Sequence, residues 1–147
     1  MHFVDAKGIL NKNNGFYGMN IYRGCSHGCI YCDGRSDCYQ LKHRFEDIEV
    51  KQNAPELLDK ALKSKRKKCM IGTGYISDPY LHCEEEIKLT RRCLEVILKN
   101  EFGLAIQTKS DRILRDIDLL EKINNTAKCV VQMTLTTYDD ELCKIIE

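Results

Sequence analysis

Over most of the chain, short apolar runs alternate with segments whose apolar residues recur at helical spacing, and this confines the fold to βα units building a parallel sheet. Gly18 to Tyr22 reads as a first strand. Asn53-Ala54-Pro55-Glu56 then signals a helix, because an N-cap Asn, a first-turn Pro and a Glu three residues after the cap agree, and Leu57, Leu58, Ala61 and Leu62 supply its apolar stripe. Lys68 to Thr73 is the next strand. A helix from about Glu84 to Asn100 follows, with Ile87, Leu94, Ile97 and Leu98 on one face and Glu84, Glu85 and Glu86 at the positive end of its dipole. Phe102 to Thr108 predicts another strand, and Ser110 caps a helix that turns Ile113, Leu114, Ile117 and Leu120 inward. Lys128 to Thr136, rich in Val and Thr, is the last strand, and Thr137-Tyr138-Asp139-Asp140 is a capping box opening a helix that reaches Glu147. The expected fold is therefore α/β, the N-terminal part (about four βα units) of a partial TIM-type barrel with parallel strands, since a closed barrel needs eight units and roughly 250 residues. The last strand is then an open edge unless something covers it.

The chain has 147 residues, 43% hydrophobic and 31% charged, as expected of one soluble domain, and no apolar run approaches the roughly 18 residues of a membrane span. Met1 to Asn20 carries no apolar run and so matches no signal or transit peptide, which makes the cytoplasm the expected location and reduced thiols the expected state. Against 22 acidic residues stand 23 basic ones, so nothing global favours nucleic acid, and the run Lys63, Lys65, Arg66, Lys67, Lys68 reads as a solvated helix C-terminus.

In a reducing compartment the 9 cysteines need a role other than disulfides. Cys69, Cys93 and Cys129 lie in apolar settings and read as packing residues, while Cys83 and Cys143 have no ligand neighbour at metal spacing. Cys25, Cys29 and Cys32 differ. Within Cys25-Ser26-His27-Gly28-Cys29-Ile30-Tyr31-Cys32 they sit on a Gly-containing loop, where three thiolates can each bind one iron of a cubane and leave the fourth iron open. The competing reading is a structural zinc site completed by Cys38, His27 or Asp33.

This CxxxCxxC, with the aromatic Tyr31 before its last Cys, resembles the signature of the radical S-adenosylmethionine (SAM) superfamily. The wider stretch Met19 to Asp33, then Gly72-Thr73-Gly74 running into Ser77-Asp78-Pro79-Tyr80, then Thr108-Lys109-Ser110 with Arg115 to Leu120, resembles the branch related to spore photoproduct lyase, called DNA repair photolyase-like. Residues 1–147 would be the N-terminal half of a radical SAM core.

The resemblance implies a lyase-like enzyme in which Cys25, Cys29 and Cys32 hold a [4Fe-4S] cluster and SAM chelates the open iron, to be cleaved reductively to a 5′-deoxyadenosyl radical. It places Tyr31 near the adenine, Gly72 to Gly74 and Ser77 by the methionine amino group, Lys109 on the carboxylate, and Thr134 or Thr136 near the ribose. Tyr75 stands where spore photoproduct lyase has a hydrogen-donating cysteine, which makes it the candidate catalytic residue. The implied partners are a flavodoxin- or ferredoxin-type electron donor, damaged DNA as a nucleic acid substrate, and a second polypeptide completing the barrel; no membrane is implied. The alternative is a fragment that binds a cluster or zinc without turnover.

Overall fold

The computed structural model describes residues 1–13 and 15–147. Two sheets form. The smaller joins β1 (His2–Val4), β5 (Glu49–Lys51) and β4 (Tyr22–Arg23) in the order β1-β5-β4, with β1 parallel and β4 antiparallel to β5. The larger has the order β2-β3-β6-β7-β8, built from β2 (Leu10–Lys12), β3 (Tyr17–Met19), β6 (Met70–Thr73), β7 (Gly103–Thr108) and β8 (Cys129–Met133). β3, β6, β7 and β8 run parallel and β2 turns back against β3. The parallel βα alternation expected from the sequence is present, and the described sheet is open, with β2 and β8 as its edges. The single strand expected over Gly18 to Tyr22 is instead two short ones in different sheets.

The connecting helices are α1 (Ala54–Lys63), α2 (Glu84–Ile87), α3 (Leu89–Lys99), α4 (Ile117–Thr126) and α5 (Asp140–Ile146), with α1 packed on α3 and α3 on α4. Leu58 and Leu62 of α1, Leu94 and Ile97 of α3, Ile123 of α4 and Ile71, Leu104 and Ile106 of the strands are fully buried and form the core. Among the described residues no helix is long and apolar enough to cross a membrane.

Three expectations fail for local reasons. Asn53 precedes α1 as expected but does not cap it; its amide exchanges two hydrogen bonds with the backbone of Ala6, at 2.9 and 3.0 Å. The helix over Glu84 to Asn100 breaks at Lys88, whose φ of 50° lies in the left-handed region. Thr90 explains the break: its backbone N–H donates to the Glu84 carboxylate at 2.8 Å and its hydroxyl to the Pro79 carbonyl at 2.5 Å, so Glu84 caps α3 instead of merely facing the α2 dipole. Finally, Leu114 and Ile117 are exposed, at 65% and 52%, because Asp111–Asp116 forms 3₁₀ turns before α4 begins. Changing from three to 3.6 residues per turn shifts the apolar phase, and Leu119, Leu120 and Ile123 join Ile113 inside.

Glu84 also anchors a buried ionic network. Arg115 donates to its carboxylate at 2.9 Å and to its carbonyl at 2.6 Å, and Tyr22 donates its hydroxyl to the same carboxylate. Asp116, fully buried, accepts from Arg115 at 2.8 Å, Arg91 at 2.9 Å and Tyr80 at 3.1 Å. Burial and the adjacent carboxylates push the Tyr22 and Tyr80 phenols well above their ordinary range, so both remain donors. Glu84→Ala orphans the Tyr22 hydroxyl and the Thr90 N–H and removes one partner of Arg115. We expect a loss of about 3 kcal/mol in urea unfolding, of the size seen when one side of a buried ion pair is removed.

Candidate functional site

The cysteine loop leaves β4 through Gly24, whose φ of +88° and close approach to the Phe45 carbonyl leave no room for a side chain. That approach lets the Cys25 N–H donate to the same carbonyl at 2.9 Å. Cys25 and Cys29 are buried and Cys32 half-buried, all as free thiols. Burial pushes the Cys25 thiol up, while the backbone N–H groups of His27 and Asp78 pull the other way.

Opposite the loop stand the C-terminal ends of the parallel strands. A cleft of about 190 Å³ opens between them, lined by Cys25, Cys29, Cys32, Tyr31, Gly74, Tyr75, Asp78, Lys109 and Thr134 among others. Gly74 directly follows β6 with φ +96°, and a Cβ there would land on the Gln107 carbonyl of β7. Asp78 ties the walls together. Its carboxylate accepts from the Thr108 hydroxyl at 2.6 Å, the Lys109 N–H at 2.9 Å and the Tyr80 N–H at 2.8 Å, with His27 Nε2 at 3.4 Å. Burial works against its charge, but these donors hold the carboxyl below the usual range.

At the cleft's rim Lys109 Nζ donates to the Tyr31 hydroxyl at 2.6 Å and to the Glu147 carboxylate at 2.5 Å, while lying 5.1 Å from the centre of the Tyr31 ring. Thr136 donates to the same carboxylate at 2.6 Å, and Tyr31 hydrogen-bonds it too. Burial opposes the Lys109 charge, but Glu147, Tyr31 and Cys29 outweigh it and raise its pKa. Glu147 is correspondingly held down at about 2, where burial alone would raise it. The Ile30 N–H donates to the Ile146 carbonyl at 3.0 Å, so the end of α5 rests on the cysteine loop.

With this cleft at the strand ends, the comparisons with known proteins decide the family: the model of the Radical SAM superfamily matches residues 19–147. The chain belongs to the radical SAM superfamily. An uncharacterized protein of Methanocaldococcus jannaschii, MJ0683, is 37% identical over 133 residues, covering 89% of this chain and 48% of the relative. The uncharacterized protein Rv2578c of Mycobacterium tuberculosis is 29% identical over 160 residues, covering 99% of this chain and 46% of its own. ORF301 of Acidianus two-tailed virus is 25% identical over 159 residues, at 99% and 50%. The chain spans about half the length of these curated relatives. No solved structure matches significantly.

Radical SAM membership implies a [4Fe-4S] cluster and SAM, and the residues present suit such a cluster better than a single zinc ion. Among the described residues only His2, His43 and Glu49 bring three ligand atoms within 4.8 Å of one another. The three cysteine sulfurs are thus not all within 4.8 Å of one another, whereas Zn–S bonds near 2.3 Å put the sulfurs of a tetrahedron about 3.8 Å apart. The backbone N–H groups of His27 and Asp78, which favour the Cys25 thiolate, are the kind of neighbour that tunes an iron–sulfur centre.

The expected SAM contacts divide between two places. Tyr31, Gly74, Lys109 and Thr134 line the cleft, with Tyr75 half-exposed beside them. Gly72 does not, because the Tyr75 ring fills the space above it. Ser77 faces an adjoining cavity of about 260 Å³ with Tyr22, Arg23 and Lys51, its buried hydroxyl without a hydrogen-bond partner. Thr134 and Thr136 lie past the end of β8, not on it; Thr134 extends the ladder by donating its N–H to the Thr108 carbonyl at 2.9 Å. Sequence reasoning missed Asp78 and Glu147 as site residues. The Ser77-Asp78-Pro79 turn could have pointed to Asp78, whereas nothing local pointed to Glu147.

A carboxyl held at about 2 stabilises the fold above its unfolded value and loses that contribution as pH falls through the folded one. The difference in melting temperature between the unaltered protein and Glu147→Gln is therefore expected to be full above pH ~5 and to vanish as pH falls from ~4.5 toward ~2. Thermal melts of both proteins across that range check this.

Proposed function

We propose that the chain is the cofactor-binding part of a radical SAM enzyme of the spore photoproduct lyase-like branch. The observation that supports this most is that Cys25, Cys29 and Cys32 share one cleft with Gly74 and Lys109. In this reading the three cysteines hold the cluster, and the N–H groups of His27 and Asp78 steady Cys25 as a thiolate. Lys109 pairs with the carboxylate of SAM, in place of Glu147, and Tyr31 offers its ring to the adenine. Gly74 lets the backbone come close to the methionine amino group. Asp78 keeps the Lys109 backbone and the cysteine loop in a fixed relation through its bonds to both. Bound cluster and SAM supply reductive cleavage of the sulfonium to a 5′-deoxyadenosyl radical; the protein's part is binding and orientation. Tyr75, on the same wall, takes the position of the hydrogen-atom donor.

The branch assignment rests on Gly72-Thr73-Gly74, Ser77-Asp78-Pro79-Tyr80 and Thr108-Lys109-Ser110 in the sequence. It carries with it a damaged-DNA substrate, a flavodoxin- or ferredoxin-type electron donor, a cytoplasmic setting and further polypeptide to complete the sheet.

Anaerobically reconstituted protein given a strong reductant and SAM is expected to release 5′-deoxyadenosine. Cys29→Ala should fail to retain the cluster. Lys109→Ala should keep it but bind SAM roughly ten- to a hundredfold more weakly, the cost of one lost charge-assisted bond. A cluster-loaded protein that yields no 5′-deoxyadenosine would leave the reading of a cluster-binding chain without turnover.

A further inference from the structure

We propose that His2, His43 and Glu49 form a second metal site, distinct from the cysteine loop, for a borderline divalent cation of the zinc type. One ligand atom from each lies within 4.8 Å of the other two. The arrangement follows from the fold. His2 on β1 and Glu49 on β5 are register partners, so their side chains leave the same face of the small sheet, and the segment from His43 runs directly into β5.

The donor groups are already set for a cation. His43 Nδ1 meets the Arg44 carbonyl at 3.0 Å and donates to it, which leaves the Nε2 lone pair free. That Nε2 is buried, has no hydrogen-bond partner, and lies 3.7 Å from a Glu49 oxygen. A bare lone pair facing a carboxylate at this distance is repulsive, and a cation between the two, a proton or a metal ion, removes the repulsion. Glu49 has no lysine or arginine ion pair among the described residues, and its neighbour Arg23 donates to the Tyr39 carbonyl at 2.9 Å instead. His2 Nδ1 lies 3.1 Å from Asp47. Each imidazole thus has one nitrogen fixed by a carbonyl or carboxylate, as in metal-bound histidines. The two rings meet edge to face, 5.0 Å apart.

Two imidazoles and one carboxylate are a zinc donor set with a fourth position open, and they carry too few oxygens for calcium or magnesium. A cation here would clip β1 to the segment holding Phe45, whose carbonyl receives the Cys25 N–H.

The test uses protein with its iron–sulfur cluster reconstituted, so that the cysteines are occupied. Zn²⁺ titrated calorimetrically is expected to bind one per chain, and the zinc K-edge absorption spectrum should show only nitrogen and oxygen ligands near 2.0–2.2 Å, without sulfur at about 2.3 Å. His43→Ala and Glu49→Gln should each weaken binding roughly tenfold or more. No binding, a sulfur shell, or unchanged affinity in Glu49→Gln would overturn the proposal. If His43→Ala fails to fold by circular dichroism, the spectrum of the unaltered protein and the near-isosteric Glu49→Gln still decide it.

Discussion

The site depends on one carboxylate. Asp78 receives hydrogen bonds from the end of β7 at Thr108 and Lys109, while its carboxylate lies 3.4 Å from His27 Nε2 of the cysteine loop. A single, largely buried anion thereby ties the cysteine loop to the strand ends. A buried charge with that many donors costs little to hold and much to strip of its partners. The cleft keeps its shape by the same bonds that neutralise Asp78.

Behind the cleft the Glu84–Arg115–Asp116–Arg91 network does a similar job for the helices. Glu84 begins as the first residue of α2 and ends as the cap of α3. The small sheet plays the corresponding part on the other side: Phe45 supports Gly24 and Cys25 from the segment leading into β5. The cysteine loop is thus braced from two directions, by Asp78 on the strand side and by Phe45 on the sheet side.

Periodicity made the parallel βα order readable, because Leu58, Leu62, Leu94 and Ile97 mark buried helix faces in the sequence itself. The spacing of Cys25, Cys29 and Cys32 marked in the sequence the loop that lines the cleft at the strand ends. What stayed hidden depended on partners distant in the chain. The break at Lys88 needs Thr90, Pro79 and the buried Glu84 together, with Tyr22 62 positions away. The phase shift before α4 came from 3₁₀ turns that the apolar spacing does not encode. Asp78 carried no role of its own in the sequence because its partners Thr108 and Lys109 come 30 and 31 positions later. The cover of Gly72 stayed hidden too, because nothing in the sequence says that Tyr75 folds back over it.

Glu147 gives Lys109 a counter-ion of its own. A ligand carboxylate arriving at this lysine exchanges one anion for another as its partner instead of meeting a bare cation. Screening by salt acts on changes in charge pairing, so little of it is felt in such an exchange. Ionic strength should therefore leave the affinity for a carboxylate-bearing ligand nearly constant, and selection among ligands falls to the shape and hydrogen bonding of the rest of the molecule.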